Sequence, residues 1–316
     1  MAQPRLPAFA SLLKSRDVED PVNLWLHRPL AYAFVALVYR TRLTPNQITF
    51  MSLVVGLAAV PLWLWGARGA MVAGGILLWA SAILDGADGI LARAKNQHSQ
   101  FGRALDGSAD MIVAAGTVFA GFAHLWMQQQ QPIHMILALP AIGGAVLHIF
   151  LYDFYKESFL RMTRPGTYGE PENHAQVRTR LAELEAKGGS LLLRITLKQL
   201  FIPLLQNQDR VIAITNPDGR RGDWIGARDE ETARIYRRHN LGPMRLWAIV
   251  SLAPHAYLMS ICAILDRLDV YLWIRLVVMN VLFIVVLVWQ RRATTLTRRE
   301  LSEGGPPDPV PAVQAA

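Results

Sequence analysis

Residues 84–110 read LDGADGILARAKNQHSQFGRALDGSAD and place four aspartates, Asp85, Asp88, Asp106 and Asp110, at spacings of three and four within each pair. Offsets of three and seven return to one helix face, so Asp85, Asp88 and Ala92 line up together. Gly102, Asp106 and Asp110, at offsets of four and eight, do the same on a second helix. Two helices joined by a short loop therefore point four carboxylates at each other. Like charges in a poorly hydrated place repel, at a cost of several kcal/mol unless compensated. Divalent cations are the economical compensation, and hard oxygen ligands favour Mg²⁺, Mn²⁺ or Ca²⁺ over zinc. Gly86, Gly89, Ala92 and Gly102 remove bulk beside the carboxylates, so a large ligand can approach the backbone. Arg93, one turn from Gly89, adds a fixed positive charge suited to a diphosphate. Together these residues point to metal-assisted chemistry on a phosphorylated substrate.

The elements that must position them are membrane helices. Of the 316 residues, 52% are hydrophobic and only 18% charged, with mean hydropathy +0.24. A helix crosses a bilayer in about 20 mostly apolar residues. Runs at 47–66, 69–84, 111–127, 133–152, 243–265 and 270–289 reach that length once their polar ends are included, so the fold class is all-α and polytopic with six transmembrane helices. Of the 32 Lys and Arg, only Arg68, Arg267 and Arg275 fall in the loops 67–70, 128–132 and 266–269 or in the last span. The positive-inside rule then puts both termini and the aspartates in the cytoplasm, at the inner, cytoplasmic membrane. The net charge of +8 suits anionic headgroups and acidic substrates. Nucleic acid is not expected as a partner, because no basic patch is interleaved with exposed aromatics. Residues 1–17 lack a sustained apolar core and do not read as a secretory signal. Cys262 stands alone in an apolar span and reads as a small buried residue.

The chain divides into a cytoplasmic N-terminal tail and interfacial helix (1–43), catalytic transmembrane helices 1–4 (44–156), a cytoplasmic helical insert (157–240), transmembrane helices 5–6 (241–292) and a disordered cytoplasmic tail (293–316). The apolar run 29–39 is short and flanked by Arg28, Arg40 and Arg42, which suits a helix lying in the interface. Thr44 is placed to cap the first span and Pro45 to occupy its first turn. Within the insert, 179–187 predicts a polar helix closed by Gly188-Gly189. The run 191–205, with Arg194 and Lys198, predicts an interfacial helix, and 229–239 a helix with acidic start and basic end. Gly-Gly-Pro-Pro and Pro-Val-Pro beyond Leu301 predict disorder.

The pattern Asp85-x2-Asp88-Gly89-x2-Ala92-Arg93-x8-Gly102-x3-Asp106-x3-Asp110 resembles, without a departure, the signature of the CDP-alcohol phosphotransferase family. The six-span layout and the Thr-Pro-Asn start of the first span are similar too, whereas the long insert is not part of the family's minimal core. The resemblance implies transfer of a phosphoryl-linked group from a CDP-alcohol to a hydroxyl, with release of CMP. It implies that Asp85, Asp88 and Asp106 bind metal, as two Mg²⁺ or Mn²⁺ ions, with Asp110 sharing the second ion and taking the acceptor's proton. By the same resemblance Gly86, Gly89, Ala92 and Gly102 border the CDP moiety, Arg93 steadies it, and the protein is a homodimer. CDP-diacylglycerol with a small polar alcohol is the leading substrate pair; CDP-choline or CDP-ethanolamine with a lipid hydroxyl is the alternative.

Plainer readings compete. Helix capping and solvated interface charge account for one or two aspartates, but not for four on converging faces. Arg93 also fits a positive-inside anchor, and Lys95, His98 and Arg103 read as simple interfacial residues. An intramembrane prenyltransferase also uses aspartates and Mg²⁺, but without the Gly and Ala-Arg positions. A cation transporter places its carboxylates near the bilayer midplane rather than at one end. Polar groups within the spans carry functional expectations of their own. Asp153, with Tyr152, Lys156 and Arg161, is placed to contact the acceptor, and Arg164 is a further phosphate ligand of the same kind. Arg275 is expected to reach outward toward Asp266 or Asp269. His255, beside Pro254, is as well suited to a structural hydrogen bond as to substrate contact.

Overall fold

The structure, a computed structural model, describes residues 6–13, 15–97, 99–164, 174–186, 188, 191–220 and 229–303, and among them it is all-α. Twelve helices are described: α1 (Arg28–Val38), α2 (Pro45–Trp65), α3 (Arg68–Ala94), α4 (Gln100–Gln129), α5 (Pro132–Thr163), α6 (His174–Ala186), α7 (Leu191–Thr196), α8 (Ile202–Thr215), α9 (Glu230–Ile249), α10 (Leu252–Ile264), α11 (Leu268–Trp273) and α12 (Met279–Glu303). Six stretches are long and apolar enough to cross a bilayer: Pro45–Trp65, Arg68–Ala94, Leu105–Gln129, Pro132–Thr163, Glu230–Ile264 and Leu268–Glu303. The chain has the build of a multi-pass membrane protein. By its contacts it divides into two units, Met1–Ile149 with Trp247–Phe283 and Phe150–Leu246 with Ile284–Ala316.

In the first unit, α2 starts where Thr44 and Gln47 cap each other. The Gln47 N–H donates to Thr44 Oγ1 at 3.4 Å and the Thr44 N–H to Gln47 Oε1 at 2.9 Å. Pro45 occupies the first turn, where its missing N–H costs nothing, and Gly66 closes the helix in the left-handed region at φ +76°. Ser99 caps α4 by accepting from the Gly102 N–H at 2.8 Å. Lipid-embedded helices associate through close packing, which small residues permit. A Cβ at Gly56 of α2 would lie 2.7 Å from both Ser81 Oγ of α3 and Val113 Cγ1 of α4, so the three helices meet at the distance only glycine allows. The core here is built around Trp63, Met71, Leu78 and Met259. Cys262 is buried in it, as expected.

Two boundaries differ from the sequence reading. The polar segment 229–239 is not a separate helix; it runs without a break into the fifth span as α9. That span breaks at Val250 and Ser251, just upstream of Pro254, whose ring can donate no hydrogen bond back across the break. The last helix continues to Glu303, so 293–303, assigned from sequence to the disordered tail, is helical; 304–316 lie outside the described residues. Arg275 is a further correction. It does not reach outward: it is 3% exposed, and its Nη2 donates to His148 Nδ1 at 3.3 Å. Asp266 instead accepts from His124 and Gln128, and Asp269 from Arg267. His255 pairs with the Tyr271 hydroxyl, the structural of its two expected roles.

In the second unit the insert is wound more fully than its sequence suggests, because α7 continues helically through 197–201 into α8 and ends only at Thr215. Its end is tied down by a buried polar seam. Asn216 Nδ2 donates to Tyr155 OH at 3.2 Å and to Thr294 Oγ1 at 2.9 Å, and Gln290 Nε2 donates to Asn240 Oδ1 at 2.7 Å. Buried donors paired in this way specify one arrangement, since any slip leaves them unpaired.

Candidate active site

Asp85 and Asp88 ride one turn apart near the end of α3, and Asp106 lies in the second turn of α4. One carboxylate oxygen from each can be chosen so that all three lie within 4.8 Å of one another. That spread fits a single hard cation at roughly 2.0–2.6 Å from each ligand. Asp110 lies one turn beyond Asp106 on α4. Three of the four aspartates of the sequence pattern are thus brought together.

Two observations bear on whether a cation belongs here. The Asp85 Oδ1 is buried and has no hydrogen-bond partner. An orphaned buried carboxylate oxygen is costly unless a proton donor or a metal satisfies it. Asp88, 6% exposed, is held by the Thr49 hydroxyl, which donates to its Oδ2. Thr49 ties one oxygen down and leaves the other to the cluster. The donor set, carboxylate oxygens only, suits a divalent hard cation.

Gly86, Gly89 and Gly102 each face a polar side chain. A Cβ at Gly86 would meet Arg28 Nη1 at 3.2 Å, one at Gly89 would meet the Arg93 guanidinium at 3.5 Å, and one at Gly102 would meet Asn46 Oδ1 and Ser99 Oγ at 3.0 Å. Ala92 is half-buried on the same helix. Arg93 folds back over Gly89, and its Nε donates to the Leu12 carbonyl. Lys95, expected as a simple interfacial residue, donates to the carbonyls of Thr41 at 3.0 Å and Leu43 at 2.7 Å. His98 and the Arg103 side chain lie outside the described residues.

The residues expected at the acceptor belong to the second unit. Lys156 bonds Asp153 on its own helix and lies 4.9 Å from the centre of the Tyr152 ring, while Arg161 Nη2 donates to Glu157 at 3.0 Å. Thr49, Asn46, Ser99 and Arg28 are neighbours of the signature residues that sequence reasoning missed. Thr49 and Asn46 sit in the TPNQIT stretch, which reads as a helix start similar to the family's but assigns no role at the aspartates to either; Arg28 reads as an interfacial anchor.

The sequence model of the CDP-alcohol phosphatidyltransferase family matches residues 42–158, which contain every residue of the signature. The match covers 42–158 alone, so it is this stretch that is similar to the family. A bifunctional IPC transferase and DIPP synthase of Thermococcus kodakarensis is 32% identical over 120 residues, 38% of this chain and 26% of that protein. A phosphatidylinositol phosphate synthase of Mycobacteroides abscessus is 37% identical over 97 residues, 29% of this chain and 39% of that protein. The chain therefore spans well under half the length of these curated relatives. Within the matched stretch lie α2, α3, α4 and most of α5; Arg28, Glu19 and Leu12 precede it, and the greater part of the insert follows it.

Proposed function

We propose that the protein transfers a phosphatidyl group from CDP-diacylglycerol to the hydroxyl of a small polar alcohol and releases CMP, at the cytoplasmic face of the membrane. The observation that carries this reading is the convergence of Asp85, Asp88 and Asp106 within 4.8 Å, with an orphaned Asp85 oxygen, inside the matched domain.

Asp85, Asp88 and Asp106 would hold the metal, Mg²⁺ or Mn²⁺, and by the family resemblance Asp110 would share a second ion; an ion held there would supply positive charge to offset that of the diphosphate and of the departing CMP. The chain's own residues do the rest. Asp110 takes the proton of the acceptor hydroxyl, whose oxygen forms the new P–O bond as the bond to CMP breaks. Gly86, Gly89, Ala92 and Gly102 keep bulk away from the CDP moiety, and Arg93 steadies it with fixed positive charge. Thr49 keeps Asp88 aimed at the cluster. The distribution of Lys and Arg, which concentrates positive charge on the aspartate side, supports the cytoplasmic placement. A homodimer is carried by the resemblance.

For the acceptor, the name of the phosphatidylinositol phosphate synthase relative makes an inositol phosphate the first alcohol to test. Lys156 and Arg161, with Asp153, are the residues proposed to receive it.

The test is CMP release by the purified protein in detergent with Mg²⁺ and CDP-diacylglycerol against a panel of polar alcohols. Release stimulated by one acceptor supports the reading and names that acceptor. Release only with CDP-choline or CDP-ethanolamine plus a lipid hydroxyl moves the protein to the other branch of the family. Silence with every CDP-alcohol overturns the proposal.

A further inference from the structure

Two contacts onto the signature helix come from chain that precedes the matched residues 42–158: Leu12 accepts from Arg93, and Arg28 donates to Gly86. The second of these is built with care. Residues 23–27 wind in a wide turn, closed where the Arg28 N–H donates to the Asn23 carbonyl five residues back. Such turns shift the helical register by one residue and concentrate at functional positions. Immediately after it, Arg28 Nη1 donates to the Gly86 carbonyl at 3.2 Å and its Nε to Glu19 Oε2 at 2.9 Å. The two side chains are 17% and 7% exposed, so this is a largely desolvated pair, and its geometry is fixed at both ends. The glycine is part of the arrangement, since a Cβ on residue 86 would lie 3.2 Å from Nη1 and 3.6 Å from the Ala31 Cβ.

Gly86 stands between Asp85 and Asp88 on the same turn of α3. We infer that Arg28, anchored by Glu19, is a positioning residue: it holds the Gly86 peptide, and with it the turn from which Asp85 and Asp88 present their oxygens to a divalent cation. The inference rests on the metal-dependent function proposed above. Groups that orient metal ligands without touching the metal change affinity by roughly 10- to 100-fold when removed. Lysine is a poor substitute, because a single ammonium lacks the fork that reaches Glu19 and Gly86 in different directions.

The experiment is Mn²⁺ titration of the full chain in detergent, followed by electron paramagnetic resonance, on the unaltered protein, Arg28→Ala, Arg28→Lys and Glu19→Gln, with a thermal melt of each. Arg28→Ala is expected to weaken Mn²⁺ binding roughly 10-fold in a protein that still melts cooperatively. Arg28→Lys should recover part of the loss, and Glu19→Gln should show a smaller loss of the same sign. In the CMP-release assay, Arg28→Ala should raise the metal concentration needed for half-maximal rate more than it lowers the rate at saturating metal, a split that general structural damage does not produce. A folded Arg28→Ala protein with unaltered Mn²⁺ affinity overturns the inference. If Arg28→Ala does not fold, Glu19→Gln decides, and unaltered affinity there overturns it equally. If the unaltered protein binds no Mn²⁺, the metal-dependent function falls and the inference falls with it, which distinguishes the two failures.

Discussion

Thr49 on α2 donates its hydroxyl proton to the buried carboxylate of Asp88 on α3, thirty-nine residues away in the chain. The same hydroxyl lies 3.2 Å from the Pro45 carbonyl of its own helix, so it joins the start of the first span to the aspartate cluster. Replacing Thr49 by the isosteric Val keeps the volume and removes the donor. A buried acceptor left unpaired costs about 1–3 kcal/mol. Thr49→Val should therefore lower the melting temperature in metal-free buffer and weaken Mn²⁺ binding, while Thr49→Ser retains most of both. Melts and Mn²⁺ titrations side by side check this; identical behaviour of Val and Ser would show that the hydroxyl is idle.

The aspartates should separate by role. Asp85→Asn and Asp106→Asn each remove a ligand and should abolish CMP release by losing metal. Asp110→Asn should bind nucleotide nearly as well as the unaltered protein yet release CMP at least 100-fold more slowly, as expected for loss of a general base. Equilibrium binding of CDP-diacylglycerol measured beside turnover makes the distinction, and near-full activity in Asp110→Asn would remove it from the base role.

Close packing at Gly56 predicts a stability effect away from the chemistry. An added methyl would sit 2.7 Å from both Ser81 Oγ and Val113 Cγ1, so α2 must shift from α3 and α4. Gly56→Ala should destabilise by about 1–3 kcal/mol. Gly69, whose Cβ would meet nothing within 4 Å, is the control, and Gly69→Ala should be nearly silent in the same melt.

The N-terminal segment predicts a pH dependence. His27 is buried, with burial first and Arg28 second pushing its pKa down from 6.5 to about 4. The unfolded chain then binds a proton between about 4 and 6.5 that the folded chain does not, so this stability is complete above pH 6.5 and is lost as pH falls toward 4. Asp20, raised chiefly by its own burial, acts in the opposite sense just above its ordinary value. Comparison with His27→Gln cancels the Asp20 contribution. The melting temperature of the unaltered protein should fall more steeply across this window than that of His27→Gln, and parallel curves would contradict the assignment.

Arg275, His148 and Asn280 form a directed chain. Arginine can only donate, so His148 Nδ1 must accept from it, and Nε2–H donates to Asn280 Oδ1 at 3.1 Å. Asn280 Nδ2 passes on to the Leu276 carbonyl at 2.9 Å. His148→Phe should destabilise strongly by leaving a buried arginine short of an acceptor, and adding Arg275→Met should recover much of the loss. A double-mutant cycle on thermal melts should give a coupling of about 0.5–3 kcal/mol; strict additivity would mean that the two side chains do not support one another.

The features legible from sequence alone are those set by local period. Long apolar runs mark six spans because the bilayer thickness sets a length, and spacings of three and four place Asp85 with Asp88 and Asp106 with Asp110 because the helix repeats every 3.6 residues. The Thr44 cap is local in the same way. The partners across helices were decided by tertiary packing: Thr49 to Asp88, Arg28 to Gly86, Asn46 beside Gly102, and Arg275 turned inward to His148 rather than outward to Asp266. Nothing in the spacing of a single helix records which neighbour it meets or at what rotation, so Thr49 reads as part of a cap and Arg28 as an anchor until the helices are brought together. A glycine's meaning is likewise fixed by what fills the space beside it, and at Gly86 that is a guanidinium from fifty-eight residues upstream.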